Sequence, residues 1–319
     1  MRLTLTNGTT VTDVSEVMAS CVWSGERARC CRTVECTLLA DRAAVELGDL
    51  LQLFADDGAE IFRGYVVTVE RSSEEKTIDV YARDQGIYLN NNQVTIKLTN
   101  TTAEAAAASI CGQLGIPVGA LAVTNWRFSR IFSGVKAYDA IMTGYSLAGA
   151  ESGKTYILTF TGGKLSVTEQ QDPAEALVVR GGSNLQSAVY RASIESLVNS
   201  VEIRDKNDRI VRTVEDKDST ALYGVMRRVL KQSGDDDKSA EAEKILKENR
   251  MERSATINCL GDIRLKTGGA VIVREPSTQL DGLFYIEGDT HQWKNGIYTC
   301  KLTLAYERVM DVKTAGQEG

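Results

Sequence analysis

The chain has 319 residues, with 37 Lys and Arg against 43 Asp and Glu, for a net charge of −6. Hydrophobic residues make up 43% and charged residues 25%, a globular balance that excludes a largely disordered chain and leaves room for about two domains. The acidic balance argues against a general nucleic-acid clamp, because phosphate binding needs concentrated positive charge, although a local basic patch stays open.

The first ninety residues read as β. One run ends over Leu38 to Asp41, and Gly48-Asp49 opens the next, Leu50 to Phe54. Asp56-Asp57-Gly58 is a turn in which Gly supplies the positive φ. Ile61 to Glu70 is rich in β-branched and aromatic residues. Ser72 to Lys76 turns the chain, and Thr77 to Arg83 alternates with the period of a half-buried strand. The character then changes. Thr102-Ala103-Glu104 starts a helix that runs through Leu114 to Gly115, and Pro117 bars extension. A second helix is predicted from Ala137 to Ala148, followed by a hairpin of Thr155 to Phe160 and Leu165 to Thr168 around Gly162-Gly163.

After Gly181-Gly182 the β character returns. Ser193 to Arg204 is predicted as a strand, Asp205 to Asp208 as its turn, and Arg209 to Val214 as the return. A helix is predicted from Ser219 to Gln232. Leu222, Val225, Met226 and Val229 fall on one helical face, a stripe that either packs on its own barrel or docks on a neighbouring subunit. Gly234 to Asp237 breaks it, and Lys238 to Glu252 reads as a charged, Ala-rich helix. The last β block comprises Ser254 to Leu260, Ala270 to Arg274, Leu283 to Gly288 and Tyr298 to Tyr306. From Asp311 the chain is expected to fray.

The expected fold class is mainly β with an α/β insert: β regions at 1–90 and 181–310 flank an α/β domain at 91–180. A helical excursion spans about 219–252, and a flexible tail covers 311–319. The two β regions also align. Gly48, Phe62 and Thr77 match Gly268-Gly269, Phe284 and Thr299, with equal spacing from Phe to Thr, as a duplicated small barrel would require, although two short hairpins can also agree by chance.

Few motifs carry chemistry. Ala148 to Thr155 fits a relaxed phosphate-binding loop with Lys154 and Thr155 in place, but the chemistry needs a strand before the loop and a helix after it. Here the order is reversed, so a helix cap followed by a turn is expected. There are seven cysteines and one histidine. Cys30, Cys31 and Cys36, with Cys21 nearby, lack the paired spacing of structural zinc and read as small apolar strand residues. His291 alone excludes sites that need two histidines from one chain. It stands beside Trp293 without a G-x-S-x-G nucleophile motif, and reads as a hydrogen-bonded structural residue. Asp235 to Lys238 lacks the ligand spacing of a calcium loop. No catalytic set, cofactor site or metal site is expected. The polar start MRLTLTNGTTVTD has no signal-like apolar stretch, and the odd cysteine count suits reduced thiols in a protein made in a cytoplasm. No apolar run approaches the roughly 18 residues of a membrane span.

The whole layout resembles the baseplate hub proteins of contractile phage tails and related injection machines, the late control gene D and XkdQ-type group. The resemblance is carried by Leu47-Gly48-Asp49 through Ile61 to Val66, by Tyr81-Ala82-Arg83-Asp84, and by Thr102-Ala103-Glu104 with Gly115-Ile116-Pro117. Tyr138 to Ile141, and Phe284 to Trp293 continuing to Leu302-Thr303-Leu304, add to it. It implies two tube-protein-like β-barrel domains per chain and a homotrimer of pseudo-sixfold symmetry. Such a ring joins a hexameric tail tube to a trimeric spike, contacts baseplate wedge, tape measure and wall-hydrolase proteins, and passes DNA only as cargo. The implied location is the virion tail baseplate, assembled in the host cytoplasm. The chain ends soon after the second β region, so a spike or hydrolase is expected to be a separate protein. Leu222, Val225, Met226 and Val229 are the candidate subunit-interface residues. The competing readings are a tail-tip or adhesin-like binding protein of a non-contractile tail and, more remotely, a nucleotide-binding enzyme using Lys154.

Overall fold

The computed structural model describes residues 1–173, 175–233 and 236–318. The chain divides into two compact units, Met1–Ala188 with Thr256–Gly319, and Val189–Ala255. The first β region contains β1 (Arg2–Asn7), β2 (Thr10–Asp13), β3 (Met18–Glu26), β4 (Thr33–Leu39), β5 (Leu50–Phe54), β6 (Glu60–Arg71) and β7 (Thr77–Arg83). The insert follows with α1 (Gly86–Asn91), β8 (Gln93–Thr102), α2 (Ala103–Gln113), β9 (Val118–Leu121), β10 (Arg127–Lys136), α3 (Ala137–Ser152), β11 (Tyr156–Thr161) and β12 (Lys164–Glu169). Next come β13 (Leu177–Arg180) and β14 (Leu185–Ser193), then β15 (Ser200–Arg204), β16 (Ile210–Glu215), α4 (Lys217–Tyr223), β17 (Arg227–Lys231) and α5 (Ser239–Glu248). The chain closes with β18 (Glu252–Leu260), β19 (Ala270–Glu275), β20 (Leu280–Lys294), β21 (Ile297–Ala305) and β22 (Gln317–Glu318).

The strands form because apolar residues alternate. Val34, Cys36 and Leu38 of β4 and Ile78, Val80 and Ala82 of β7 point into one core, completed by Leu51, Leu53, Phe62 and Val66. Ala255, Ile257 and Cys259 of β18 and Cys300, Leu302 and Leu304 of β21 alternate in the same way. The two β regions share one 13-stranded sheet, ordered β14-β18-β21-β20-β3-β4-β7-β6-β5-β1-β2, with β19 pairing β20 and β13.

Within that sheet the duplication is physical. The path β3-β4-β7-β6-β5-β1 is repeated as β14-β18-β21-β20-β19-β13. Gly48 N donates to Val66 O at 2.9 Å, and Gly268 N donates to Ile286 O at 3.0 Å; both glycines have φ near +90° (90° and 87°). Val66 N reaches Asp49 O as Ile286 N reaches Gly269 O, each at 2.9 Å. Ala40 N to Lys76 O recurs as Gly261 N to Tyr298 O. Both hairpins also carry a bulge at the same place, between Val66 and Thr68 and between Ile286 and Gly288. One correction applies to the alignment. Leu51 opposes Gly64 and Val271 opposes Phe284, so Phe284 stands where Gly64 does, not where Phe62 does. A side chain at Gly64 would run into the Phe62 ring, which already fills that volume. One strand differs in direction: β1 is antiparallel to β5, whereas β13 is parallel to β19.

The insert has its own core of Leu98, Ile110, Phe132, Ile141, Tyr145 and Tyr156. Thr102 caps α2 by accepting from Ala105 N at 3.4 Å, and Gly115, at φ 65°, ends the helix as predicted. α3 runs to Ser152, further than the predicted Ala148. The segment expected to fray is instead tied to the insert. Tyr138 Oη donates to Asp311 at 2.8 Å, Lys313 N and Ala315 N each donate at 3.0 Å to Ser146 and Thr143, and β22 pairs with β10. These polar anchors carry no periodic signal, which is why the segment reads as a tail.

The second unit departs most from expectation. The helix predicted from Ser219 to Gln232 stops at Tyr223, and Arg227–Lys231 is a strand parallel to β15. Gly224, at φ 78°, caps α4 and would weaken any longer helix by about 1 kcal/mol. Of the predicted strand Ser193 to Arg204, only Ser200–Arg204 is β15; Ser193 ends β14, and a turn in which Leu197 N bonds Ile194 O lies between them. α5 ends at Glu248, because β18 has begun by Glu252. α5 lays Ala242 and Ile245 on a core of Val198, Val201 and Ile203. Gly234 and Asp235, part of the predicted break and of the acidic run, lie outside the described residues.

Candidate functional site

The residues singled out for chemistry take structural places. Lys154 lies just past the C-terminus of α3, where Gly153 (φ 71°) caps the helix and donates to Gly149 O. A helix C-terminus presents carbonyls and a partial negative charge, the opposite of a phosphate cradle. Lys154 pairs instead with Glu169 at 2.7 Å. All seven cysteines are buried and free. Cys21 opposes Cys36 across β3 and β4. Cys30 and Cys31 are not strand residues: they occupy the β3–β4 connection, where Cys30 packs into the insert core and Cys31 lies against the Arg83 guanidinium. Among the described residues, no group of three His, Cys, Asp or Glu side chains is placed to hold a metal ion. Nor is any helix among them long and apolar enough to cross a membrane.

The predicted interface stripe does not form one helical face. Leu222 lies on α4, Val225 and Met226 in the following turn, and Val229 on β17. Leu222, Val225 and Val229 are 74%, 59% and 49% exposed, so the helical spacing does not reflect a buried seam. Leu230, outside the stripe, is the β17 residue that joins the core of its unit.

The densest polar arrangement lies where the two β repeats meet, at the pairing of β20 with β3. Here the buried Asp289 carboxylate accepts from Nη1 and Nη2 of Arg32 and, at 2.6 Å each, from Thr267 N and Oγ1. Thr267 Oγ1 also reaches Gly25 O at 3.1 Å, and the Arg32 guanidinium lies 4.0 Å over the Trp23 ring. His291 Nε2 is 3.2 Å from Asp289 and 3.0 Å from Leu265 O, while Nδ1 is 2.7 Å from Tyr298 Oη and 3.1 Å from Cys300 Sγ. Trp23, Gly25 and Arg32 come from the first repeat, and the other members come from the second.

Electrostatics tie this cluster together. Burial alone would raise the Asp289 carboxyl, but Arg32 and His291 reverse it and hold the group well below the usual carboxylate range. Burial opposes a charged His291, and Asp289 and Cys300 outweigh it, so the imidazole is more basic than usual. The neighbouring Cys259 thiol, working against burial and helped by His291, lowers the Cys300 thiol. A lowered thiol, an imidazole and a carboxylate in contact have the composition of a nucleophilic triad. The sequence reading missed this because Cys300 and His291 are brought opposite only by the β20–β21 register. Cys300, His291 and Asp289 are 1%, 0% and 3% exposed, so the three groups are buried together and hold the two repeats to each other.

Among the open strand edges of the described residues, two correspond to edges that are paired inside the chain. β20 is paired along its outer side by β19 up to Tyr285 and by β3 from Gly288 onward. Its counterpart β6 is paired by β5 up to Tyr65, and among the described residues no strand lines Thr68–Arg71 on that side. β14, the counterpart of β3, ends the sheet with β18 as its single neighbour.

The fold recurs in phage tail proteins of known structure. The 43 kDa tail protein of prophage MuSo2 from Shewanella oneidensis matches with a TM-score of 0.72 at 16% identity, over 98% of this chain and 100% of that one. The E. coli c3393 protein, described as a type VI secretion component structurally similar to T4 tail proteins, matches with a TM-score of 0.56 at 10% identity, over 94% of this chain and 76% of that one. In sequence, the phage-like element PBSX protein XkdQ of Bacillus subtilis strain 168 is 24% identical over 300 residues, 90% of this chain and 91% of that protein. The mainly β fold of this chain is thus one shared with phage tail proteins of known structure. The YQBQ-like family matches residues 21–305, and the chain belongs to that family.

Proposed function

We propose that this protein is the baseplate hub of a contractile tail, a homotrimeric ring of pseudo-sixfold symmetry between a hexameric tail tube and a trimeric spike. The observation that carries the reading is the duplication. Two repeats per chain with the same strand path, the same backbone bonds and the same bulge make three chains present six like units to a six-fold tube. The β regions at 1–90 and 181–310 supply those units, and the insert at 91–180 stands between them in sequence. The likeness to a type VI secretion component adds support, since injection machines face the same symmetry mismatch. In this reading baseplate wedge, tape measure and wall-hydrolase proteins are neighbours, and DNA passes only as cargo. The protein works in the virion tail, after assembly in the host cytoplasm. Leu222, Val225 and Val229, exposed apolar residues, with Met226 beside them, are candidate contacts to those neighbours.

Light scattering on the purified full-length chain tests the reading. A mass near three times 34.8 kDa, with six-lobed rings in negative stain, supports it. A monomer that also fails to join purified tube protein counts against it, and favours the tail-tip or adhesin-like alternative.

A further inference from the structure

We propose that these two strand edges pair with each other between copies of this chain: Thr68–Arg71 of β6 on one copy runs antiparallel to Tyr190–Ser193 of β14 on the next. The proposal rests on the ring reading above and names the contact that closes the ring.

The template is inside the chain. Beyond its bulge β20 pairs with β3, with Gly288 opposite Glu26, Asp289 opposite Gly25, Thr290 opposite Ser24 and His291 opposite Trp23. Beyond the matching bulge of β6, Thr68, Val69, Glu70 and Arg71 hold the places of Gly288, Asp289, Thr290 and His291. The register confirms it, since Arg71 opposes Ile78 as His291 opposes Cys300. β14 stands for β3 in the same way. Asn258 Nδ2 donates to Ser187 Oγ at 2.8 Å where Ser20 Oγ donates to Thr37 Oγ1 at 3.4 Å. Counting along the strand from Ser187 puts Tyr190, Arg191, Ala192 and Ser193 in the places of Trp23, Ser24, Gly25 and Glu26.

Transferring the internal pairing to two copies sets Thr68 opposite Ser193, Val69 opposite Ala192, Glu70 opposite Arg191 and Arg71 opposite Tyr190. The chemistry agrees with that register. Glu70 and Arg191 are exposed, opposite in charge, and outside every ion pair among the described residues. Arg71 meets a Tyr ring where His291 meets Trp23, whose ring centroids are 4.7 Å apart. The connection before β5 does not obstruct the edge. Arg71 Nη2 donates to Val45 O at 2.8 Å, as His291 Nε2 contacts Leu265 O at 3.0 Å, and in that second case β3 still lies alongside. Open edges invite uncontrolled pairing unless a specific partner covers them. A second copy is the occupant the duplication points to, because each chain brings one edge of each kind and copies then join head to tail until the ring closes.

The experiment combines a cross-link with a charge swap in the full-length chain. Glu70→Cys with Arg191→Cys, mildly oxidised, is expected to give covalent trimer on a non-reducing gel, while each single variant stays a single chain. Separately, Glu70→Arg is expected to weaken the trimer about five- to tenfold in sedimentation, with adding Arg191→Glu restoring it. A trimer that neither cross-links nor responds to the swap overturns the edge pairing and leaves the ring reading standing. A folded chain that stays monomeric and uncross-linked at every concentration overturns both.

Discussion

Replacing Asp289 with Asn tests whether the junction is a cohesive element. Asn keeps the shape and keeps an acceptor for Thr267, but removes the charge facing Arg32 and His291. The Arg32 side chain is only 18% exposed and the Asp289 side chain fully buried, so Arg32 is left as a largely desolvated cation without its partner. Breaking a buried pair from one side costs about 3–5 kcal/mol. For a chain of this size that corresponds to a fall of about 1 M or more in the urea midpoint of tryptophan fluorescence, a suitable probe because Trp23 packs in the cluster. Removing both charges, as in Arg32→Met with Asp289→Leu, is expected to recover most of the loss. The pH dependence follows from the same groups. Asp289, held low, contributes stability above its unfolded value near 4 and loses it as pH falls through its folded value. His291, raised, contributes fully below about 6.5 and loses its contribution as pH rises through its folded value. The junction is therefore firmest between these limits. An Asp289→Asn protein that unfolds within about 0.5 kcal/mol of wild type, with an unchanged pH profile, would refute the assignment.

Three further outcomes are expected. Burial raises the Asp84 carboxyl to about 7, against the hydrogen bonds from Arg32 N and Gly86 N, so the folded state keeps a proton that the unfolded state has lost. Stability then falls by about 1.4 kcal/mol per pH unit from about pH 4 toward 7, and Asp84→Asn should flatten that slope in urea titrations at several pH values. Gly64→Ala should cost about 1–3 kcal/mol in thermal or urea unfolding, because the new methyl meets the Arg83 carbonyl and the Phe62 ring; an unchanged midpoint would mean that β6 shifts freely. Lys154→Ala should move stability by no more than about 0.5 kcal/mol, and calorimetry with ATP should read the same heat before and after the change. Nucleotide binding lost in that variant would reopen the phosphate-loop reading.

Much of the fold was legible in the sequence because much of it is local. Alternation in Thr77 to Arg83 marks β7 to the residue, since a half-buried strand writes its own period. Thr102 and Gly115 mark the ends of α2, since a cap and a positive φ are properties of single residues. Gly48 and Gly268 left duplication and chance agreement both open, and the shared strand path and backbone bonds decided for duplication. The stripe at Leu222 failed for the complementary reason. Four apolar residues at helical spacing describe a helix as well as a helix stub, a glycine cap and an edge strand. What chose the latter was the place of Arg227–Lys231 beside β15, a partner remote in sequence.

The polar junction was the least legible feature, and only the tertiary structure decided it. Arg32, Thr267, Asp289, His291 and Cys300 share no spacing and no motif. They meet because β3 crosses to β20 while β20 and β21 fall into one register. Sequence by itself determined elements such as β7 and α2, because alternation, capping and turn geometry act within a few residues. Which strand lies beside which is settled by burial and hydrogen-bond pairing between residues far apart in the chain. That pairing turned two similar hairpins into one sheet and buried Asp289, His291 and Cys300 at its junction, which no local sequence pattern encodes.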